Sequence, residues 1–246
     1  MAAFTSTSRL AQDGRRPLAD AMVRLAGTPD DASTVDEQLV TIARLVADRV
    51  AAVSYASVTA LRNEKYTTVA ASSDLARAVD EAQYATGAGP CVDAMDDDTP
   101  VTVPDIEATM AWPDFRSRAH ELGLRASVSI PLFGGRGATI AVLNLFGHDP
   151  VAIAPLIVGV WSVYDPARPM PGDVAGLPPL DPGAAELIEG FAEALAVRAT
   201  IQLAIGVVMT RRRCTAADGY AILRTLAAAA GATLVAVATA LVAQNA

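Results

Sequence analysis

The stretch DPGAAELIEGFAEALAVRATIQLAIGVVMTRRR, residues 181 to 213, reads as one long helix, and the rest of the chain is ordered around it. Leu187, Phe191 and Leu195 recur every fourth residue, and Ile201, Ala204, Ile205, Val208 and Met209 extend an apolar side further along. Recurrence at three and four residues puts these side chains on one helical face. Asp181 suits the cap and Pro182 the first helical position, where a missing N–H costs nothing. Arg211, Arg212 and Arg213 fall in the last turn, where cations meet the negative end of the helix dipole. The helix reads as a connector that leaves a large acidic domain and enters a small basic one.

Composition supports this split. A chain of 246 residues has room for one or two domains. An apolar fraction of 52% excludes a disordered chain. The net charge of -8 is uneven: from Ala196 onward five arginines stand against Asp218 alone, a local +4, which leaves -12 for everything before it. Such asymmetry points to a C-terminal part that meets an anion, nucleic acid included. On charge alone, a solvated arginine cluster at a helix end is the plainer reading.

Several function classes lack material. Cys91 and Cys214 are far apart and form no metal-ligand spacing, as fits a reducing cytoplasm. His120 and His148 are the only histidines. No P-loop, dinucleotide fingerprint or nucleophile–base pairing is present, so the reading is a non-enzyme without cofactor or metal. The N-terminus lacks the charged-then-apolar pattern of a leader. Residues 225–246 carry no charge and approach a bilayer span in length. Their alanines, with Gly231, Thr233, Thr239 and Gln244, weaken insertion, so a tail anchor is the minor reading and a cytoplasmic protein the major one.

In chain order, residues 1–34 are expected to be a mobile lead-in with a short helix over 18–25. Leu39, Ile42, Ala43, Val46 and Val50 predict an amphipathic helix over 35–53. Residues 55–61 and 66–71 are strand-like, joined by the polar turn Arg62 to Lys65. A helix over 75–84, a short strand at 101–103, a helix over 112–122 and strands over 127–133 and 139–146 follow. This order argues an α+β fold with one antiparallel sheet and helices packed on it. Residues 156–163 read as one more strand, and Pro166, Pro169, Pro171, Pro178 and Pro179 as a stiff linker. The expected division is 1–34 lead-in, 35–165 sensor domain, 166–180 linker, 181–195 connector helix and 196–246 C-terminal domain.

Certain residues carry a resemblance. In Gln83-Tyr84-Ala85-Thr86-Gly87-Ala88-Gly89-Pro90-Cys91 the glycines open backbone angles closed to other residues, and Pro90 can start a helix. Downstream stand Pro104-Asp105, Trp112-Pro113 with Phe115, Gly123, Ser127 to Leu132, and Leu143-Asn144-Leu145. Together these resemble a GAF domain of the actinobacterial type over residues 35–146. The resemblance implies a GAF-like antiparallel sheet that binds a small molecule or dimerises, and no enzyme.

The C-terminal part resembles an ANTAR domain. It does so through Ile201 to Met209, then Cys214 to Asp218, Tyr220, Leu223 and Val237-Ala238. Thr215 is a good N-cap with Asp218 three residues on. The resemblance implies a three-helix ANTAR-like domain, dimeric, that holds RNA hairpin loops in nascent transcripts and so acts in antitermination. The implied contacts are Arg211, Arg212, Arg213 and Arg224, with Gln202 and Tyr220 beside them. Phosphate attraction and recognition of splayed bases would carry the binding. Residues 228–235 hold no cation where the family shows polar and basic side chains. The alternative is therefore a sensor whose diverged C-terminal domain meets a protein instead of RNA. Cys91 reads as a small buried hydrophobe before a redox sensor, Tyr220 as core before a stacking platform, and Asp96 to Asp98 as a solvated loop.

Overall fold

The computed structural model describes residues 16–168 and 176–245. Within them the chain runs α1 (Pro17–Ala26), α2 (Val35–Arg49), β1 (Tyr55–Arg62), β2 (Lys65–Ala71), α3 (Asp74–Thr86), α4 (Pro90–Asp96) and β3 (Val101–Val103). It continues with α5 (Pro113–Glu121), β4 (Ala126–Phe133), β5 (Thr139–Gly147), α6 (Pro150–Tyr164), α7 (Pro182–Arg212), α8 (Ala216–Ala230) and α9 (Leu234–Ala243). The five strands form one sheet in the order β2-β1-β5-β4-β3, each neighbour antiparallel. Asn63 and Glu64 take φ of 50° and 63° in the β1–β2 turn. Two left-handed residues in a row match the twist of the strands they join.

Side chains alternate across the sheet with period two. Val58, Ala60, Val128, Ile130, Leu143 and Leu145 point into a helical layer made by α1, α2, α6 and the first half of α7. The alternate positions Ser57, Thr59, Ser127, Ser129 and Asn144 are buried on the opposite face, which α3, α4 and α5 cover. One sheet face is thus apolar and the other mixed, with Val142 and Phe146 beside the polar residues.

Three sequence expectations need correcting. Residues 17–26 are core, not part of a loose lead-in; residues 1–15 lie outside the described residues. Leu18, Met22 and Leu25 of α1 are buried along α7. The Leu18 N–H donates to Glu186 Oε1 at 2.7 Å, and Glu186 Oε2 accepts from Arg49 at 2.8 Å. The expected strand at 156–163 is helix α6. Asp149 accepts from the Val151 N–H at 2.8 Å and Pro150 opens the first turn, a start signal that outweighs the β-branched run. Gly159 is no breaker here but the point of contact with α7: a Cβ on it would lie 2.1 Å from Ile188 Cδ1. Residues 181–195 are likewise not a free connector, because Leu187 and Phe191 are buried in the core of the sheet domain. Within the Pro-rich segment, Pro169 and Pro171 lie outside the described residues.

The second half of α7 joins α8 and α9. Ile201, Ala204, Ile205, Leu223, Leu234 and Ala238 are buried together. Thr215 and Asp218 form the expected capping box. Gly231, at φ 59°, ends α8, and α9 leaves at 106° to it. The uncharged tail is therefore two packed helices at an angle. Helix α7 is long and apolar enough to span a bilayer by length and composition, but in this fold it is the common wall of two cores.

The α1–α7 contact sets a test. A Cβ on Gly190 would stand 2.6 Å from the Ala19 Cα. Ala is the better helix former by about 1 kcal/mol, but overpacking costs about 1–3 kcal/mol. Gly190→Ala is expected to lower stability in denaturant unfolding; a gain would contradict this packing.

Candidate nucleic-acid interface

Six side chains are the sequence candidates for RNA contact, and the fold divides them. Arg211 and Arg212 end α7, and Arg213 follows at φ 53° as its left-handed cap. All three are exposed and have no carboxylate partner among the described residues. Arg211 lines a shallow groove of about 840 Å³ on α7 together with Gln202, Leu203, Gly206 and Thr210. Tyr220 and Arg224 lie elsewhere, turned toward the sheet domain. Tyr220 is buried beside the acidic loop that holds Asp30. Burial first, and then the Asp30 carboxylate, push its phenol above the ordinary value. Arg224 is held by Asp31 at 3.0 Å. Of the four arginines, Arg211, Arg212 and Arg213 are thus exposed at the end of α7, while Arg224 is paired with a carboxylate.

A second set of functional-looking groups lies under α3 and α4, where sequence reading placed none. Asn144 Nδ2 faces Thr59 Oγ1 at 3.0 Å, Asp80 Oδ1 at 3.2 Å, Cys91 Sγ at 3.2 Å and Ser57 Oγ at 3.4 Å. Its Oδ1 accepts from the Ser129 hydroxyl at 2.9 Å. Asp80 Oδ2 accepts from Thr68 at 2.9 Å, and the Tyr84 hydroxyl bridges Thr59 at 2.7 Å and Thr68 at 2.8 Å. Gln83 Oε1 accepts the Cys91 N–H at 2.8 Å and fixes the start of α4. A Cβ on Gly89 would stand 2.3 Å from that same oxygen, so the Gly-Pro-Cys start of α4 is dictated by close approach. Trp112 donates from Nε1 to Asp93 at 3.0 Å and covers the flank of α4.

Burial sets the electrostatics of this cluster. It raises the Asp80 carboxyl from 3.8 to about 7, against the hydrogen bonds from Ser57, Thr68 and Asn144 that favour the charged form. It pushes the Cys91 thiol up to about 12, with the Asp80 charge adding to the effect. A thiol so shielded is a poor nucleophile, so Cys91 is a packing residue and not a reactive one. One signal for this cluster was in the sequence: Ser57, Thr59, Ser127, Ser129 and Asn144 occupy alternate positions of otherwise apolar strands.

A five-stranded antiparallel sheet between helical layers, feeding one long helix into a three-helix module, defines a sensory domain joined to an output domain. The chain belongs to the GAF domain family, whose model matches residues 32–154. It also carries an ANTAR domain, matched over residues 189–242. No curated protein matches the chain. Similar solved structures include the type II free methionine-R-sulfoxide reductase from Thermoplasma acidophilum, at 11% identity over 52% of this chain and 78% of that one, TM-score 0.35. Another is a domain of a two-component sensor histidine kinase protein from Sinorhizobium meliloti 1021, at 16% identity over 75% of this chain and 99% of that one, TM-score 0.35. At this distance neither informs the chemistry of this chain.

Two measurements check the cluster. Folding takes up a proton on Asp80 between its ordinary 3.8 and about 7, so this group's contribution to stability falls as pH rises through that window and is level above it. Asp80→Asn keeps the shape and cannot ionise. Relative to the wild type it is expected to gain on the order of 1–4 kcal/mol between pH 4 and pH 8; a pH-independent difference would contradict the assignment. A disulfide reagent at pH 8 is expected to modify half-exposed Cys214 quickly and buried Cys91 only on unfolding.

Proposed function

We propose that this chain is a transcription antitermination regulator in which the GAF domain senses a signal and the ANTAR domain binds RNA hairpin loops. The observation that carries the reading is the free Arg211 to Arg213 cluster on the ANTAR domain of an acidic chain. Guanidinium groups suit phosphate, and an exposed run at a helix end can follow a backbone without desolvating first. Gln202, exposed on the ANTAR half of α7, adds a donor and acceptor for a splayed base. Arg224 and Tyr220 belong to the same reading as contacts of the open module. The location is the cytoplasm, where transcripts are made, and a small molecule in the GAF domain is the proposed signal.

The protein acts as a homodimer through α7. Ala196, Ala199, Leu203, Gly206 and Thr210 recur at alternating three- and four-residue steps and are all exposed. That is the spacing of a coiled-coil seam, and its small residues permit close approach of a second copy of the same helix. Leu203 is 60% exposed, an apolar side chain that a partner would cover. Two parallel copies would also bring two arginine clusters side by side, as a pair of hairpin loops requires.

A second reading rests on a specific observation. Helix α9 carries no charge, and Leu234 to Ala243 offer RNA no cation. On that reading the C-terminal domain docks a protein helix.

The test is equilibrium binding to a two-hairpin leader RNA across a salt series. Replacing Arg211, Arg212 and Arg213 by Ala is expected to weaken binding and to flatten the slope of log affinity against log salt by about 2. An unchanged slope would exclude this cluster, and binding of a partner protein without RNA would favour the second reading. For the dimer, Gly206 has open space around an added Cβ, so Gly206→Leu leaves the monomer intact. Sedimentation is expected to show the wild type as a dimer and this variant shifted to monomer; equal behaviour would remove the seam.

A further inference from the structure

The α8 face that bears Tyr220 and Arg224 is seated on the GAF domain, where Asp31 pairs with Arg224 and the neighbouring Asp30 holds Arg136 beside the Tyr220 ring. Asp31, in the loop between α1 and α2, accepts from Arg224 Nη1 at 3.0 Å. Asp30 beside it accepts from the Arg136 backbone N–H and from its Nε, each at 3.1 Å. Arg136 belongs to the β4–β5 turn. The guanidinium carbons of Arg136 and Arg224 both stand 5.8 Å from the Tyr220 ring centroid. The aromatic ring is thus flanked by two cations, each tied to the acidic loop.

The same turn reaches the other members of the ANTAR domain. A Cβ on Gly137 would lie 3.0 Å from Gln202, and one on Gly135 3.0 Å from Leu234 Cδ2. A Cβ on Gly27 would lie 2.8 Å from Val235 Cγ2. Arg198 Nε donates to the Gly137 carbonyl at 2.8 Å, and its guanidinium lies 4.1 Å from the Phe133 ring centroid. Three glycines therefore sit where two domains press together, each at a point a side chain would crowd.

We propose that this contact is an autoinhibitory clamp. The Asp31 carboxylate takes the place of an RNA phosphate on Arg224, and the acidic loop with the β4–β5 turn covers Tyr220, so engagement of RNA by this α8 face requires the ANTAR domain to lift off the GAF domain. The proposal rests on the RNA-binding reading above. A carboxylate offers a guanidinium the same anionic acceptor that a phosphate does. The clamp is built to open. The one ion pair that joins the two domains here, Arg224–Asp31, is exposed, of the kind that contributes little to stability. A closed state with a small margin responds to a small differential signal. The GAF surface also touches α7 at a second point: Asp98, just past α4, meets Arg198 at 3.5 Å, and its carbonyl accepts from Tyr164 at 3.1 Å.

The test uses the full chain and three versions of it. Asp30→Asn with Asp31→Asn removes the acidic loop. Glu81→Gln with Asp114→Asn makes the same change of charge at exposed positions on the far side of the sheet. Arg136→Gln breaks the clamp while removing a cation, so bulk charge alone would make it bind RNA more weakly. Hydrogen exchange over residues 27–34 and 216–243 reports the contact, and anisotropy with a two-hairpin leader RNA reports binding. Both clamp variants are expected to exchange faster at those segments; Asp30→Asn with Asp31→Asn is expected to bind RNA about threefold to tenfold tighter than its charge-matched control, and Arg136→Gln tighter than the wild type. Unchanged exchange overturns the clamp. Faster exchange with RNA affinity no better than the control shows a contact without an inhibitory role and overturns the proposal. Faster exchange with no RNA binding by any version, wild type included, overturns the RNA reading itself and is told apart by that wild-type result.

Discussion

The constraint on which the structure depends is that α7 belongs to two cores at once. Its first turns bury Leu187 and Phe191 among α1, α2 and α6, and its later turns bury Ile201, Ala204 and Ile205 under α8 and α9. Both sets lie on one unbroken helix of 31 residues. Burial of Leu187 and Phe191 at one end and of Ile201, Ile205 and Val208 at the other is worth about 1.5–3 kcal/mol per side chain, more than an exposed ion pair contributes. Neither domain can release its half of α7 cheaply. Movement of the helix within one domain is therefore felt in the other, whereas the side contacts of the ANTAR domain with the sheet are free to break.

The sheet divides labour by its two faces. The apolar face holds α7 through the helical layer. The polar face gathers Asp80, Asn144, Thr59, Ser57 and Cys91 into a hydrogen-bonded interior beneath α3 and α4. Buried polar networks are costly when half-satisfied, and one Asn144 amide facing four acceptors is a sharply oriented arrangement. Helix α4 runs from Cys91 of that interior toward Asp98, which meets Arg198 of α7.

Much of this was legible in the chain. The strands showed themselves through β-branched runs and the polar turn at Asn63 and Glu64, and α7 through apolar spacing with a cap at one end and arginines at the other. Thr215 and Asp218 marked α8 by chemistry that needs no partner. The misreadings share a cause, which is that the deciding contact is distant in sequence. Nothing near α1 says that Leu18 and Met22 meet α7, because Glu186 and Gly190 stand some 170 residues away. Helix α6 is apolar all round, so its periodicity does not separate helix from strand, and the local cap at Asp149 with Pro150 and its packing against α7 together select the helix. Arg224 looked free for the same reason: its partner Asp31 is 193 residues distant. Local chemistry was readable, and long-range pairing was not.

The central claim is that the arginine end of α7 and the adjoining α8 face form the nucleic-acid surface of a GAF-regulated protein. The most direct measurement is photo-crosslinking of the intact chain to a two-hairpin leader RNA, followed by mass spectrometry of the RNA-bearing peptides. The account predicts crosslinks within residues 202–224, centred on Arg211 to Arg213. Crosslinks confined to the sheet domain, or none above an unrelated hairpin, would contradict it.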